Sequence, residues 1–315
     1  MAPSIVCQVG AVLLQADLWF PILSRYARDA RTIESRSRRW RMTKMSTNPD
    51  TERFQREADR YATYLETPEG RLRIDLAFAN LRESLPQVTQ PRHALDLGGG
   101  TGAIAVRLAR FGFKVTLLDA SQPMLDFAKR AAHEAGVAER IALKQGDAGQ
   151  LATLFPAGTF DLILCHNVLE FVADPDAVLR SVARALRGPS GMISVLVRNQ
   201  PGEVLKAALL NGDLAAAERT LSADWGDESL YGGTVRLFTR ENLKAMLEES
   251  SFAVIAERGV RVVSDFLPLK ISRNHEYERI FDLERKLGSR LEFAAIARYV
   301  HCIAHRLGPV MRGGE

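Results

Sequence analysis

The segment His93-Ala-Leu-Asp-Leu-Gly-Gly-Gly-Thr-Gly102 constrains this chain more than any other. A short apolar run reaches Asp96, glycines stand at 98, 99, 100 and 102, and Ile104–Arg110 then shows helical apolar spacing. Strand, glycine turn and helix in that order form the ligand-binding corner of an open α/β sheet. Glycine lets the backbone turn sharply and approach a ligand, and the first helical turn leaves N–H groups free.

The spacing separates ligand classes. Dinucleotide sites use G-x-G-x-x-G and seat a pyrophosphate at the helix start. Here Gly98, Gly100 and Gly102 give G-x-G-x-G, with Asp96 two positions earlier. A carboxylate there repels phosphate and suits an ammonium or a sulfonium. The expected ligand is therefore S-adenosylmethionine (SAM), with S-adenosylhomocysteine (SAH) as product, and no metal is expected.

After the turn the chain alternates. Lys114–Asp119, Arg140–Asp147, Phe160–His166 and Gly191–Val197 read as strands, with helices over Met124–Ala135 and Ala177–Leu186. Strands interleaved with helices give right-handed crossovers and a parallel, doubly wound sheet. Asp96, Asp119 and Asp147 then converge on one sheet edge. Asp119, 17 positions after Gly102, stands where a carboxylate meets ribose hydroxyls, and Asp147 with the Ala148 backbone faces the adenine.

The remainder is organised around this core. Residues 45–92 read as an N-terminal helical lid with helices at Phe54–Tyr61 and Arg71–Leu81, separated by a turn at Glu66–Gly70 and closed by Pro86 and Pro91. Residues 93–199 form the cofactor-binding core, 200–250 a cap insertion and helix, and 251–315 the strands that complete the sheet. The insertion reads as short helices at Val204–Leu210 and Leu214–Leu221, an aromatic-anchored loop carrying Trp225 and Tyr231, and a helix capped by Thr239. Trp225 and Tyr231 either stack on a base or close a lid by packing.

Net charge is +4, but eight basic and three acidic residues lie in 1–44, which leaves the body at −1. The body therefore announces no polyanion partner. Residues 1–44 have the Arg-rich composition of a transit peptide, or else they precede a true start at Met42 or Met45. The ordinary polar stretch Ser46–Asp50 favours the second reading. Cytoplasmic location follows, or an organelle if the leader is genuine. Cys7, Cys165 and Cys302 lack metal or disulfide spacing, and no apolar run reaches the ~20 residues of a membrane span.

Leu95–Gly102, Leu118-Asp-Ala-Ser-Gln-Pro-Met124 and Gln145-Gly-Asp147 resemble successive motifs of the class I SAM-dependent methyltransferases. The resemblance implies a seven-stranded Rossmann-like sheet ending in an antiparallel pair, with Phe252–Val263 and Ala297–Ala304 as candidates. It also implies cofactor contacts at Ala120 and Met124. A narrower resemblance over most of 54–305, carried by His166–Pro175, Gly259–Val262 and Arg298–His301, is to the bacterial tRNA 5-carboxymethoxyuridine methyltransferases. These esterify the carboxylate of a modified wobble uridine. Thr67–Arg73 is similar to their N-terminal segment, which implies that Arg73 and His166 contact SAM.

A carboxylate acceptor needs cations to position it and no general base. Arg198, Tyr231 and Arg236 are the expected positioning residues beside His166, with Arg240, Arg261 and Arg298 as further candidates. Glu170 with His166 offers a general acid/base pair for a phenol or amine acceptor, or is a helix-start charge. The partner is thus tRNA or a small acid, phenol or quinone precursor. A SAM-binding module without transfer activity is the remaining alternative.

Overall fold

The computed structural model describes residues 49–85 and 92–308. The leader expectation for 1–44 and the breakers Pro86 and Pro91 lie outside the described residues.

The seven strands run in the order β3-β2-β1-β4-β5-β9-β8: β1 His93–Leu97, β2 Lys114–Asp119, β3 Ile141–Gln145, β4 Leu162–His166, β5 Met192–Arg198, β8 Phe252–Val260 and β9 Tyr299–Arg306. β1 to β5 are mutually parallel, and β9 runs antiparallel between β5 and β8. The strand order reverses between β1 and β4, so a crevice opens at the carboxyl ends of those two strands. The expected doubly wound, mostly parallel sheet with a final antiparallel pair is what forms.

Burial explains why the strands are apolar throughout. Leu95, Leu97, Ile163 and Cys165 face one helix layer, and Ala94, Leu162 and Leu164 face the other. All seven residues of β5 are buried. A sheet covered on both faces needs near-continuous apolar strands.

Among the described residues three helices precede the sheet: α1 Pro49–Arg56, α2 Ala58–Glu66 and α3 Pro68–Ser84. The expected polar turn at Glu66–Gly70 contracts to one residue. Thr67 Oγ1 accepts the Gly70 N–H at 3.1 Å and Pro68 opens α3, a favoured use of proline at a helix start. Helices α4 Ala103–Arg110, α5 Gln122–Glu134 and α6 Pro175–Ala185 cover the sheet.

The insertion begins with α7 Gln200–Leu205, which widens through Lys206–Leu210, and continues into α8 Leu214–Thr220. The expected aromatic loop is a two-stranded ribbon, β6 Trp225–Asp227 paired with β7 Thr234–Arg236. Thr239 caps α9 Arg240–Glu249 as expected, its Oγ1 accepting the Asn242 N–H. Helix α10 Tyr277–Gly288 fills the connection from β8 to β9. Among the described residues no helix is long and apolar enough to cross a membrane.

Candidate active site

The glycine turn is held by its own backbone. Gly98 N–H donates to Leu118 O at 2.7 Å, and Gly100 N–H donates to Asp119 Oδ2 at 2.9 Å. Ser121 N–H reaches the other Asp119 oxygen at 2.8 Å, so the acid ending β2 joins two loops and keeps lone pairs free. Gly102 has φ 77° at the start of α4, where a side chain would be strained. At Gly99 the constraint is space: a Cβ would lie 2.6 Å from Leu117 Cγ and 2.8 Å from the Asp96 carboxyl carbon.

Asp96 is buried, and its Oδ2 has no hydrogen-bond partner among the described residues. Burial first, and then the charge of Asp119, push its carboxyl up to about 7. Burial also raises Asp119 above the ordinary carboxylate value. An orphaned acceptor beside a second acid fits an ammonium or other cationic donor and repels phosphate. The donor set therefore fits SAM.

The other predicted cofactor residues surround the same turn. Met124 is buried in the first turn of α5, next to Gly100. The Ala120 carbonyl accepts from Gln145 Nε2 at 3.2 Å. Asp147 lies two residues beyond β3 instead of ending it. There it caps the turn Ala148–Gln150 by accepting the Gly149 N–H at 2.7 Å, and Ala148 packs partly buried on the core.

A small cleft opens beside the turn. Asp96, Gly98 and Gly99 line one wall, His166 and Asn167 from the end of β4 another, and Tyr61 and Arg73 from the N-terminal helices a third. Arg73 is buried, donating to Tyr61 Oη at 2.8 Å and to Asn167 Oδ1 at 3.1 Å. Its guanidinium sits 5.4 to 5.8 Å from the ring centres of Tyr61, Tyr64 and Tyr299. Among the described residues it pairs with no carboxylate. Burial works against its charge, but the surrounding tyrosines favour it and the net direction is upward, so Arg73 remains a cation. Asn167 reaches Arg73 from a left-handed backbone, φ 56°, which asparagine tolerates better than most residues.

Further along the carboxyl edge the charges change sign. Arg198, Arg261, Arg298 and Arg73 surround the buried Tyr299. Burial raises the Tyr299 hydroxyl, but the four guanidiniums outweigh it and hold it at about 8. Three of these arginines are paired: Arg198 with Glu203 and Glu228, Arg261 with Asp265, and Arg298 with Glu203 at 3.1 Å. Arg298 keeps Nε and Nη1 buried without a partner among the described residues. Buried Glu170 accepts the Arg198 backbone N–H at 3.0 Å and the Asn167 amide at 2.9 Å, and burial raises its carboxyl to about 7.

The expected acceptor residues thus separate. Arg198 belongs to this cluster, but its charge is committed to Glu203 and Glu228. Arg236 lies over the half-exposed Trp225 ring at 4.7 Å and does not line the cleft. Arg240 pairs with Glu257 on the far side of the final strands. Tyr231 is half-buried, edge-on against Phe54 at 4.9 Å and 5.6 Å from Tyr61, and so packs among aromatic rings of the N-terminal helices. His166 lines the cleft and shares a hydrogen bond with Ser194 Oγ at 2.8 Å. Asn167, Tyr299, Glu203 and Glu228 were not foreseen. Only Asn167, following the strand-ending histidine, carries a sequence signal, its tolerance of left-handed backbone.

A sheet of this order with acids beside a glycine turn defines a SAM site. Residues 95–195 match the family model for a methyltransferase domain, and the chain belongs to the class I SAM-dependent methyltransferases. It is 31% identical over 248 residues to tRNA 5-carboxymethoxyuridine methyltransferase of Escherichia coli strain K12, covering 76% of this chain and 90% of that protein. It is 36% identical over 119 residues to ubiquinone biosynthesis O-methyltransferase of Caulobacter vibrioides, covering 38% of this chain and 46% of that protein. Among solved structures it resembles a SAM-dependent methyltransferase, possible histamine N-methyltransferase, of Thermotoga maritima, with TM-score 0.54 and 16% identity over 81% of this chain and 98% of that one. It also resembles the [4+2]-cyclase SpnF, with TM-score 0.51 and 19% identity over 75% of this chain and 80% of that one. A cyclase on the same fold shows that the sheet alone does not dictate the chemistry.

Proposed function

We propose that this methyltransferase transfers a methyl group to a carboxylate oxygen, with the carboxylate of a modified wobble uridine in tRNA as the acceptor. The observation that carries the reading is the arginine cluster around Tyr299. Four buried guanidiniums face three paired acids and Glu170, and Arg298 Nε and Nη1, without a partner among the described residues, are left for an incoming anion. The similarity to the Escherichia coli tRNA enzyme over most of the chain supports the same acceptor.

In this reading Asp119 takes the ribose hydroxyls, Asp96 the ammonium, and Arg73 with His166 the carboxylate of the cofactor's methionine end. Gly98, Gly99, Gly100 and Gly102 let the backbone come close, and Ala120, Met124, Asp147 and Ala148 border the adenine. When bound, SAM supplies a sulfonium-activated methyl group. The protein's task is then orientation. A carboxylate acceptor is ionised at neutral pH and needs no base, so Arg298 and Tyr299 hold it without removing a proton. Burial keeps His166 well below its ordinary pKa, which makes it a neutral hydrogen-bonding group.

A small-molecule acceptor is the second reading. It is favoured by the aromatic cluster of Phe54, Phe171 and Tyr231, which packs against Tyr61 at the cleft wall. Transfer from methyl-labelled SAM by the full chain, with bulk bacterial tRNA and a metabolite extract as parallel acceptors, separates the two. Label in tRNA that mild alkali removes supports the wobble-uridine ester. Label confined to the metabolite pool retires the tRNA acceptor, and alkali-stable label retires the carboxylate.

A further inference from the structure

A chain of four polar side chains crosses the sheet behind the cleft. His166 Nε2 lies 2.8 Å from Ser194 Oγ, and Ser194 Oγ lies 2.8 Å from His301 Nε2. His301 Nδ1 faces the Asn80 amide Nδ2 at 3.4 Å. The chain runs from β4 through β5 and β9 to α3. Ser194 and His301 are fully buried and Asn80 nearly so.

With the Asn80 amide nitrogen facing His301, hydrogen-bond bookkeeping along this chain has one solution. An amide N–H can only donate, so His301 Nδ1 accepts and its proton sits on Nε2. That Nε2–H donates to Ser194 Oγ. The single serine proton is then directed at His166 Nε2, which must accept. Burial favours the neutral form of both rings, holding His301 at about 3 and His166 well below its ordinary value. A neutral His166 that accepts at Nε2 carries its proton on Nδ1, which takes no partner among the described residues.

We propose that Asn80, His301 and Ser194 are positioning residues that lock His166 as its Nδ1–H tautomer, so that the cleft is presented with an uncharged hydrogen-bond donor. A donor beside Arg73 suits an anionic group, whereas the other tautomer would aim a lone pair at it. A cation at His166 would add charge close to Arg73 and weaken binding of the sulfonium. The donor's use rests on the cofactor reading above, but the tautomer is measurable without any ligand, so the two can fail separately.

The test is histidine nitrogen-15 NMR of the full chain at neutral pH, joined to SAH affinity by calorimetry. The expected spectrum has His166 with a protonated Nδ1 and a bare Nε2, and His301 with the opposite pattern. Ser194→Ala should abolish the single His166 form and weaken SAH binding about tenfold, the loss of one buried hydrogen bond of about 1.4 kcal/mol. His301→Gln keeps a donor facing Ser194 and should retain both the tautomer and the affinity within about twofold. A wild-type His166 protonated on Nε2 or on both nitrogens overturns the proposal. So does a folded Ser194→Ala protein with unchanged tautomer and affinity, which would leave the relay a structural hydrogen-bond chain. If Ser194→Ala does not fold, the wild-type spectrum and His301→Gln decide.

Discussion

The cleft at the glycine turn and the buried cluster around Tyr299 are built from opposite charges. At the glycine turn, buried Asp96 and half-buried Asp119 stand among backbone N–H groups, and one oxygen of Asp96 has no partner among the described residues. Around Tyr299, four guanidiniums meet with their charge mostly absorbed by Glu203, Glu228 and Asp265. Arg73 lies between, paired to hydroxyl and amide oxygens only. Burying an isolated charge costs several kcal/mol, so a fold keeps such groups only with compensation or for a ligand. The acid end leaves an acceptor for a cation, and the arginine end leaves donors for an anion. In the proposed reading that polarity orients a cationic methyl donor and an anionic acceptor along one edge of the sheet.

Removing the shared residue should have the largest effect. Arg73→Ala should lower kcat/KM at least about 100-fold, equivalent to about 2.7 kcal/mol, measured by steady-state methyl transfer. Arg73→Lys should not restore it, because an ammonium cannot hold Tyr61 and Asn167 together. A loss below about threefold would make Arg73 a packing residue.

Asp96→Asn sharpens the contrast through pH. The folded carboxyl titrates near 7, against the ordinary 3.8 that applies to the unfolded chain. Between those values the folded state holds a proton that the unfolded state has lost, so stability falls as pH rises and the full penalty is present above pH 7. Asparagine removes that penalty. Denaturant unfolding at pH 8 should show the variant more stable by roughly 2–4 kcal/mol, with little gain at pH 4. Its SAH affinity should fall about tenfold. In the wild type, SAH binding should strengthen as pH rises through about 7 and Asp96 becomes an anion.

At the other end, Arg298→Gln should raise the acceptor KM about tenfold and leave SAH affinity within about twofold. A loss of SAH binding instead would erase the distinction between the two ends. Arg236→Ala, by contrast, should change transfer less than about threefold, since its guanidinium lies on Trp225. The smallest effect is expected from Asp147→Ala. It removes a turn cap of about 1 kcal/mol, seen as a shift of a few degrees in Tm, with only a few-fold change in SAH affinity.

The acid end was legible in the sequence because its parts are local. Asp96, Gly98, Gly100 and Gly102 lie within seven residues, and strand alternation carries Asp119 to the same edge. At the arginine end the sequence offers Arg198, Arg261 and Arg298 as candidates but not their grouping, because with Arg73 they come from a helix and three separate parts of the chain and meet only after β9 inserts between β5 and β8. Nothing near Arg198 in sequence reveals that Glu228 will reach it across an insertion. Arg236 and Arg240 carried the same local signal as Arg198 and turned elsewhere. Helix α10 was missed for a related reason: its apolar residues include Ile280, which packs with Leu72, Leu76 and Tyr299 in a small separate core.

The most direct test is the position of SAH in a crystal of its complex with this chain. The ribose hydroxyls should lie on Asp119, the amino group on Asp96 and the carboxylate at Arg73, with Arg298 and Tyr299 untouched by the cofactor. A nucleoside lying instead along Arg198, Arg298 and Tyr299, with Asp96 and Asp119 vacant, would contradict the division of the cleft.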